Sequence, residues 1–358
     1  KKIPVETKLK IGLPKLKTNA NVINGNKLLK DTRNNNILEN VHNDVAAIVY
    51  TSGSTGKPKA IMLSNENFVA MMIEYANLDV KMERKEKFMS VIPPFFPYGI
   101  CNSICVPLSL GLETILIPKF DASVFPEVFM EYKPNHVNGV PKYWESLMDS
   151  PYSKDADISF LKNAGCGGAG MTDEKEVEVI EYFKSHGSSS KLNKGYGASE
   201  VTSAATVATL KNNEIGSAGI PLIFTNMSIF KLDTDEEISY LTGEEGEICI
   251  NGPTVMLGYK DNEEKTNEVI KEHKDGKLWY HTRDRGRIGE NGEFYVSGRY
   301  GRLILRRGMS IDPADIEYEI SKNPLVKEVS VIKMEHPDLV EVPVACIVLK
   351  ENVIDKNY

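Results

Sequence analysis

From Asp44 onward, short apolar runs of strand length alternate with helices that carry one apolar face. This alternation restricts the chain to a layered α/β arrangement. Val45 to Tyr50 reads as a β-branched strand, and Met89 to Ile92, Thr114 to Ile117 and His136 to Val140 read as buried strands, each ended by proline or glycine. Ser64 is placed to cap a helix whose Phe68, Met71, Met72 and Tyr75 share a face. Thr172 is placed to cap a second helix, with Val177, Ile180 and Phe183 inward and Gly187 at its end.

After about Leu210 the pattern changes to strands joined by tight turns: Met227 to Leu232, Gly246 to Asn251, Leu278 to His281, and a hairpin across Glu290-Asn291-Gly292-Glu293. A further helix, with Asp312 as cap, Pro313 in its first turn and Asn323-Pro324 as its stop, lies among the apolar runs Leu303 to Leu305, Val329 to Ile332 and Val344 to Leu349. The expected fold class is therefore α/β: a layered α/β core with an attached small antiparallel β unit and a small C-terminal α+β lid domain. The expected divisions are a leading segment 1–43, a large domain 44–298 with its β unit at about 211–298, a hinge at 299–302, and a lid 303–358.

Composition narrows the functions this fold can serve. A net charge of -7 argues against nucleic acid as the main partner, since phosphate backbones select basic surfaces. The leading segment runs against that average: from Lys1 to Arg33 basic residues outnumber Glu6 and Asp31, and repeated asparagines break any helical period. No apolar run approaches the roughly 20 residues of a transmembrane helix, and a cytoplasmic protein is expected. The five cysteines are scattered and never spaced as C-x-x-C, and the six histidines form no H-x-x-x-H pattern. Neither a disulfide framework nor a protein-held transition metal is expected, so any metal arrives with a nucleotide.

The chemistry concentrates in Tyr50-Thr51-Ser52-Gly53-Ser54-Thr55-Gly56-Lys57-Pro58-Lys59, a hydroxyl- and glycine-rich loop read as joining a strand to a helix. Gly53 and Gly56 let backbone N–H groups converge on anionic oxygens, Thr51, Ser52, Ser54 and Thr55 offer hydroxyls, and Lys57 and Lys59 offset polyphosphate charge. It is not a Walker A loop, which needs glycine where Thr51 stands and Ser or Thr where Pro58 stands. Downstream, Tyr196 offers a flat face to a base, with Gly167, Gly168 and Ala169 able to present backbone groups to the base edge.

At this loop the sequence resembles the acyl-adenylate-forming superfamily of acyl-CoA synthetases, firefly luciferase and peptide-synthetase adenylation domains. The resemblance recurs in order along the chain. Pro93-Pro94-Phe95-Phe96-Pro97-Tyr98-Gly99 is similar to the family's acyl-site motif, and Gly195-Tyr196-Gly197-Ala198-Ser199-Glu200 to its adenine and magnesium motif. Gly246-Glu247-Ile248 with Gly258-Tyr259 resembles the next core motif, and His281-Thr282-Arg283-Asp284 and Gly298-Arg299 resemble the ribose-contacting motifs. The resemblance implies that Thr55, Lys57 and Glu200 are catalytic, that Glu200 takes Mg²⁺, and that Ser199 stands beside the α-phosphate. It also implies that Asp284 and Arg299 hold the ribose, and that Gly301 is the hinge. Arg283 stands where the family carries glycine.

The reaction so implied is ATP-dependent conversion of a carboxylic acid to acyl-AMP with release of pyrophosphate, then transfer to CoA. An acyl carrier protein is the alternative acceptor, and a nucleotide-binding relic the alternative without full activity. The acyl pocket is expected to draw on Phe96, Tyr98, Asn138, Gly139 and Val201. Phe95-Phe96-Pro97 supplies no aspartate for a substrate ammonium, so an amino acid is disfavoured. Together with Pro118-Lys119-Phe120-Asp121, which resembles the CoA-ligase form of its motif, this favours a fatty or aryl acid. The family's lid lysine, in a Pro-Lys-x-x-x-Gly-Lys-like string, has no match after Gly301, and only 49 residues precede Tyr50. The resemblance therefore implies a chain truncated at both ends.

Overall fold

The computed structural model describes residues 43–51, 58–117, 122–306, 309–311, 313–336 and 339–350. The expected phosphate-binding residues Ser52 to Lys57, the motif Pro118 to Asp121, the cap Asp312 and the leading segment up to His42 lie outside the described residues.

Two antiparallel strands, β1 (Val45–Thr51) and β2 (Lys59–Ser64), are paired so that Thr51 faces Lys59. Strands therefore flank the glycine-rich stretch on both sides as a hairpin pair, where the sequence suggested a passage from strand to helix. Helix α1 (Asn65–Ala76) begins only after β2, capped as expected by Ser64, whose side chain accepts from the Asn67 N–H at 3.1 Å while Asn67 bonds back to the Ser64 N–H. Its apolar face packs Phe68, Met71, Met72 and Tyr75 against Cys101, Val106 and Val207.

The main sheet has seven strands in the order β4-β3-β5-β6-β7-β8-β9. They are β3 (Lys87–Ser90), β4 (Glu113–Leu116), β5 (His136–Gly139), β6 (Asn163–Cys166), β7 (Leu192–Tyr196), β8 (Thr206–Val207) and β9 (Ile220–Pro221). Strands β4, β3, β5, β6 and β7 run parallel, and β8 and β9 add antiparallel at the β7 edge. Between β3 and β4 come a π-helix, Tyr98–Cys105, and a short α2 (Val106–Ser109). The remaining crossovers use α3 (Phe125–Tyr132), α4 (Pro141–Asp149) and α5 (Asp173–Ser185). Parallel neighbours require such crossovers, and the helices bury one face of the sheet.

The core beneath that face is aromatic: Trp144 meets Phe125, Phe129 and Phe183 edge-on, with centroids 5.5 to 6.5 Å apart, and its indole N–H donates to the Gly165 carbonyl at 3.1 Å. In α5 the inward residues are Glu176, Val179, Tyr182 and Phe183, while Val177, expected inside, is exposed. Glu176 takes an inward position because Lys194 from β7 reaches it as an ion-pair partner and the Gly216 N–H donates to it at 2.9 Å.

The antiparallel unit is a five-stranded sheet of β10 (Asn226–Phe230), β11 (Gly246–Asn251), β14 (Leu278–Ile288) and β13 (Ile270–Glu272), with β15 (Phe294–Arg299) pairing β14. Strand β14 runs to Ile288, past the expected His281, and so includes the whole His281-Asp284 motif. Strand β12 (Gly258–Tyr259) leaves this unit to pair with β2, followed by α6 (Glu263–Val269). The last sheet, in the order β17-β16-β19-β18, combines β16 (Ile304–Arg306), β17 (Met309–Ile311), β18 (Val326–His336) and β19 (Val340–Leu349). Helix α7 (Pro313–Ser321) ties to it through Glu317, which accepts from the Val331 N–H at 2.8 Å. Strand β17 is the one element of this α+β unit that the sequence pattern does not announce.

Candidate functional site

Strands β3, β5, β6 and β7 deliver their C-terminal ends to one edge of the sheet, where open parallel sheets place their ligand crevices. A cavity of about 540 Å³ lies there. It takes Pro93 and Phe96 from beyond β3, Asn138 from β5, Gly167 from beyond β6 and Tyr196 from β7.

The segment after β7 is sterically specified. A Cβ on Gly197 would stand 1.7 Å from the Ser203 carbonyl oxygen, so only glycine lets the two backbones approach. A 3₁₀ turn, Ser199–Val201, follows, and Thr202 and Ser203 then hold φ of 63 and 146°. Side chains rarely adopt such angles, and the surroundings must enforce them. Here the Thr202 hydroxyl donates to the Thr254 carbonyl at 2.6 Å and the Met256 N–H donates to the Glu200 carbonyl at 2.8 Å, locking the turn to the segment leading into β12.

Glu200 emerges from this turn half-buried. Its Oε1 accepts from the Tyr259 hydroxyl at 2.9 Å, and the Tyr259 ring lies under the Lys59 ammonium, 5.0 Å from its centroid. Because Tyr259 pairs with Ile61 across β12 and β2, the exit of the glycine-rich hairpin and the carboxylate at 200 are joined through one side chain.

Asp284 and Arg299 face each other in the β14–β15 register, with Arg299 Nε 3.1 Å from Asp284 Oδ1. The Tyr196 hydroxyl donates to the other oxygen, Oδ2, at 2.7 Å. Each carboxylate oxygen accepts two hydrogen bonds, so both oxygens keep capacity for further donors such as a pair of vicinal hydroxyls. Burial raises the Asp284 carboxyl above its ordinary value, while Arg299 and the Tyr196 hydroxyl pull it back.

Two supports of this carboxylate were not read from the sequence. Arg283, at the family's glycine position, keeps a left-handed φ of 63° and is tied by an ion pair to Asp233 at 2.8 Å. Fully buried Glu247 accepts from the Arg283 N–H and from His281 Nδ1, both at 2.9 Å, and His281 Nε2 lies 2.9 Å from His273 Nε2. Glu247, Cys249 and His281 thus cluster within 4.8 Å although the sequence separates them widely. No spacing rule finds such a group, because the β11–β14 register brings it together. Burial pushes the Cys249 thiol up, so it is protonated, and the hydrogen bonds make the cluster a brace beneath Asp284.

The other expected residues fall as follows. Thr51 ends β1; Gly167, Gly168 and Ser199 line the cavity, and Ala169 is exposed beyond its wall. Phe96, Tyr98 and Asn138 line it, whereas the Gly139 carbonyl accepts from the Tyr98 hydroxyl at 3.0 Å behind the wall. Val201 lies elsewhere: it is fully buried among Ile229, Ile248 and Ile250, because the 3₁₀ turn that presents Glu200 outward points Val201 into the β-unit core. Gly301 sits in an exposed 3₁₀ turn, Tyr300–Arg302, with open space around its Cβ position. No described helix is long and apolar enough to cross a membrane.

A family model described as AMP-binding enzyme matches residues 5–260. The chain is 33% identical over 310 residues to a probable 4-coumarate–CoA ligase 1 of Dictyostelium discoideum, covering 86% of this chain and 55% of that protein. It is 32% identical over 311 residues to a long-chain-fatty-acid–CoA ligase of Bacillus subtilis, covering 86% and 53%. Among solved structures, ATP-bound MatB from Rhodopseudomonas palustris superposes with a TM-score of 0.76 at 25% identity, covering 89% of this chain and 60% of that one. The chain therefore spans about half the length of the curated relatives it matches.

Proposed function

Since the chain belongs to the AMP-binding enzyme family, we propose that it carries the nucleotide and acyl sites of an acid–thiol ligase. Such an enzyme converts a carboxylic acid to its acyl adenylate and then to an acyl-CoA. The observation that carries this reading is the Tyr196–Asp284–Arg299 constellation beside the cavity at the ends of the parallel strands.

In the first step a carboxylate oxygen of the acid attacks the α-phosphorus of ATP, and the bond to the departing pyrophosphate breaks. Asp284 accepts from the ribose hydroxyls, Arg299 keeps that carboxylate ionised and oriented, and the Tyr196 ring, fixed by its hydroxyl, backs the adenine. Ser52 to Lys57, whose hairpin ends at Thr51 and Lys59, contribute N–H groups, hydroxyls and a cation to the phosphates. Thr55 and Lys57 act there on the transferred charge, and Ser199 lies beside the α-phosphate.

The residues fit a divalent ion. One Glu200 oxygen is held by Tyr259, and the carboxylate is the hard oxygen donor that Mg²⁺ takes alongside phosphates and water. Bound there, Mg²⁺ would neutralise charge developing on the phosphates. In the second step a thiol sulfur attacks the acyl carbon and AMP leaves; residues 303–350, beyond a hinge at Gly301, form the part that moves between steps.

Two relatives' names, for a hydroxycinnamate and for a long-chain fatty acid, point to an acid with an uncharged tail. The cavity agrees, since none of its described lining side chains is charged. Acid-dependent exchange of labelled pyrophosphate into ATP tests the reading, followed by CoA or a holo-carrier protein as acceptor. Exchange with aryl or fatty acids and transfer to CoA are expected. Absence of exchange with every acid, in protein carrying the natural sequence on both sides of this chain, would overturn it.

A further inference from the structure

The cavity has two ends of different chemistry. Gly167, Gly168, Tyr196 and Ser199 form the nucleotide end, and Tyr75, Leu78, Met82 and Asn102 bound the other. Asn102 is fully buried on the π-helix, a form of turn frequent at functional sites. Its amide nitrogen donates to the Tyr75 hydroxyl at 2.7 Å, but its side-chain carbonyl oxygen has no partner among the described residues. The Tyr75 hydroxyl hydrogen in turn meets no acceptor among the described residues.

Of the other asparagines around the cavity, Asn163 and Asn193 bond to each other, Asn213 donates to Asn193 at 3.1 Å, and the Asn138 amide nitrogen donates to the Asn102 backbone carbonyl at 3.4 Å. A buried carbonyl left without a donor is unfavourable, so a free acceptor beside a free donor at one end of a mostly apolar pocket with no charged lining calls for an explanation. An unbranched hydrocarbon tail would bury both groups unpaired. None of the described side chains lining the cavity is a cation, although Lys81 lines the adjoining pocket that shares Tyr75, Leu78, Val80 and Met82.

We propose that the acid activated here carries a hydroxyl on its tail, which accepts from the Tyr75 hydroxyl and donates to Asn102 Oδ1. The inference rests on the reading of the chain as an acyl-adenylate-forming site and selects, within it, hydroxylated over plain tails. Tyr75 and Asn102 are its specificity-determining residues.

The test uses non-hydrolysable acyl-sulfamoyl adenosines in matched pairs, cinnamoyl against hydroxycinnamoyl and alkanoyl against hydroxyalkanoyl, with the hydroxyl moved along each tail. At one position the hydroxylated analogue should bind at least about tenfold tighter than its parent. Tyr75→Phe, which removes one oxygen and keeps the ring, should cut that preference severalfold, and adding Asn102→Leu should abolish it. AMP affinity, read on the same variants, controls for the integrity of the nucleotide end. If every pair binds equally while AMP still binds, or if the preference survives both substitutions, this inference fails alone. If neither AMP nor any analogue binds, the functional reading fails with it.

Discussion

At the scale of single residues, the site depends on a carboxylate whose ionisation its own burial opposes. Asp284 is raised above the usual carboxylate range by desolvation, against the pull of Arg299 and Tyr196. A carboxyl raised in the folded state binds its proton more tightly there than in the unfolded chain. Its stabilising contribution is therefore present at low pH and lost as pH rises through the raised value. The proposed ribose contact has the opposite sign, because accepting two hydroxyl donors needs the ionised form. Affinity for adenosine, a probe without a titrating phosphate, should fall as pH is lowered through the raised value, and Asp284→Asn should be weaker throughout and nearly flat. A pH-independent wild-type affinity, read by calorimetry, would remove Asp284 from the ribose contact.

Arg283 belongs to the same scale. The sequence shows a departure from the family's glycine, and the structure shows that the left-handed backbone survives it. The strain, about 1–2 kcal/mol for such an angle, is opposed by the Asp233 ion pair and by the hydrogen bond that the Arg283 N–H donates to Glu247. Those partners lie 50 and 36 positions away in sequence, so only the folded register reveals them.

At the scale of elements, periodicity gave the parallel strands β3, β4 and β5 and the capped helices α1 and α5 because their signals are local: a Ser or Thr cap, an apolar stripe, a terminal proline or glycine. It missed β6 and β7, whose Asn-Ala-Gly-Cys and Leu-Asn-Lys-Gly-Tyr carry no apolar run. It placed Val177 inside and left Glu176 out, since the partner that makes a buried glutamate tolerable comes from β7. It also missed β2, which is brief and mostly apolar and abuts the helix cap without a break. The motif residues Asp284 and Arg299 were legible through the resemblance. Tyr259 was quoted as part of a motif, but its bond to Glu200 depends on β12 crossing to β2.

That pairing makes a prediction at this scale. Tyr259→Phe keeps the strand and the ring over which Lys59 lies, and removes only the hydroxyl that fixes Glu200. ATP affinity in Mg²⁺ should fall about three- to tenfold, the net worth of one ordinary hydrogen bond, while metal-free AMP affinity holds. Titrations showing equal losses for both ligands would mean that the hydroxyl supports the fold and not the metal site proposed at Glu200.

At the scale of the whole molecule, the sheet is braced at the edge opposite the cavity. Glu86 stands before β3, Lys162 before β6, and His136 opens β5; Glu86 pairs with Lys162 and lies 2.7 Å from His136 Nε2. Burial pushes the Glu86 carboxyl up, but Lys162, the Glu83 N–H and His136 outweigh it and hold it at about 2. A depressed carboxyl contributes stability that is complete above its unfolded value and lost as pH falls toward the folded one. Glu86→Gln should therefore lower the urea midpoint at neutral pH, by on the order of 1–3 kcal/mol in stability, and the difference should shrink as pH drops from about 4.5 to about 2. A difference that does not change over that window would show that the ion pairs contribute nothing.

The layered core presents a crevice at the C-terminal ends of its parallel strands, with Asp284 of the β unit bonded to Tyr196 in its wall, and the account stands on what occupies it. A crystal grown with a non-hydrolysable ATP analogue and Mg²⁺ tests this most directly. The ribose hydroxyls should lie within hydrogen-bonding distance of Asp284, the adenine against Tyr196, and the metal against Glu200 with the phosphates in the 52–57 hairpin. Nucleotide bound away from Asp284, or a metal that never approaches Glu200, would contradict it.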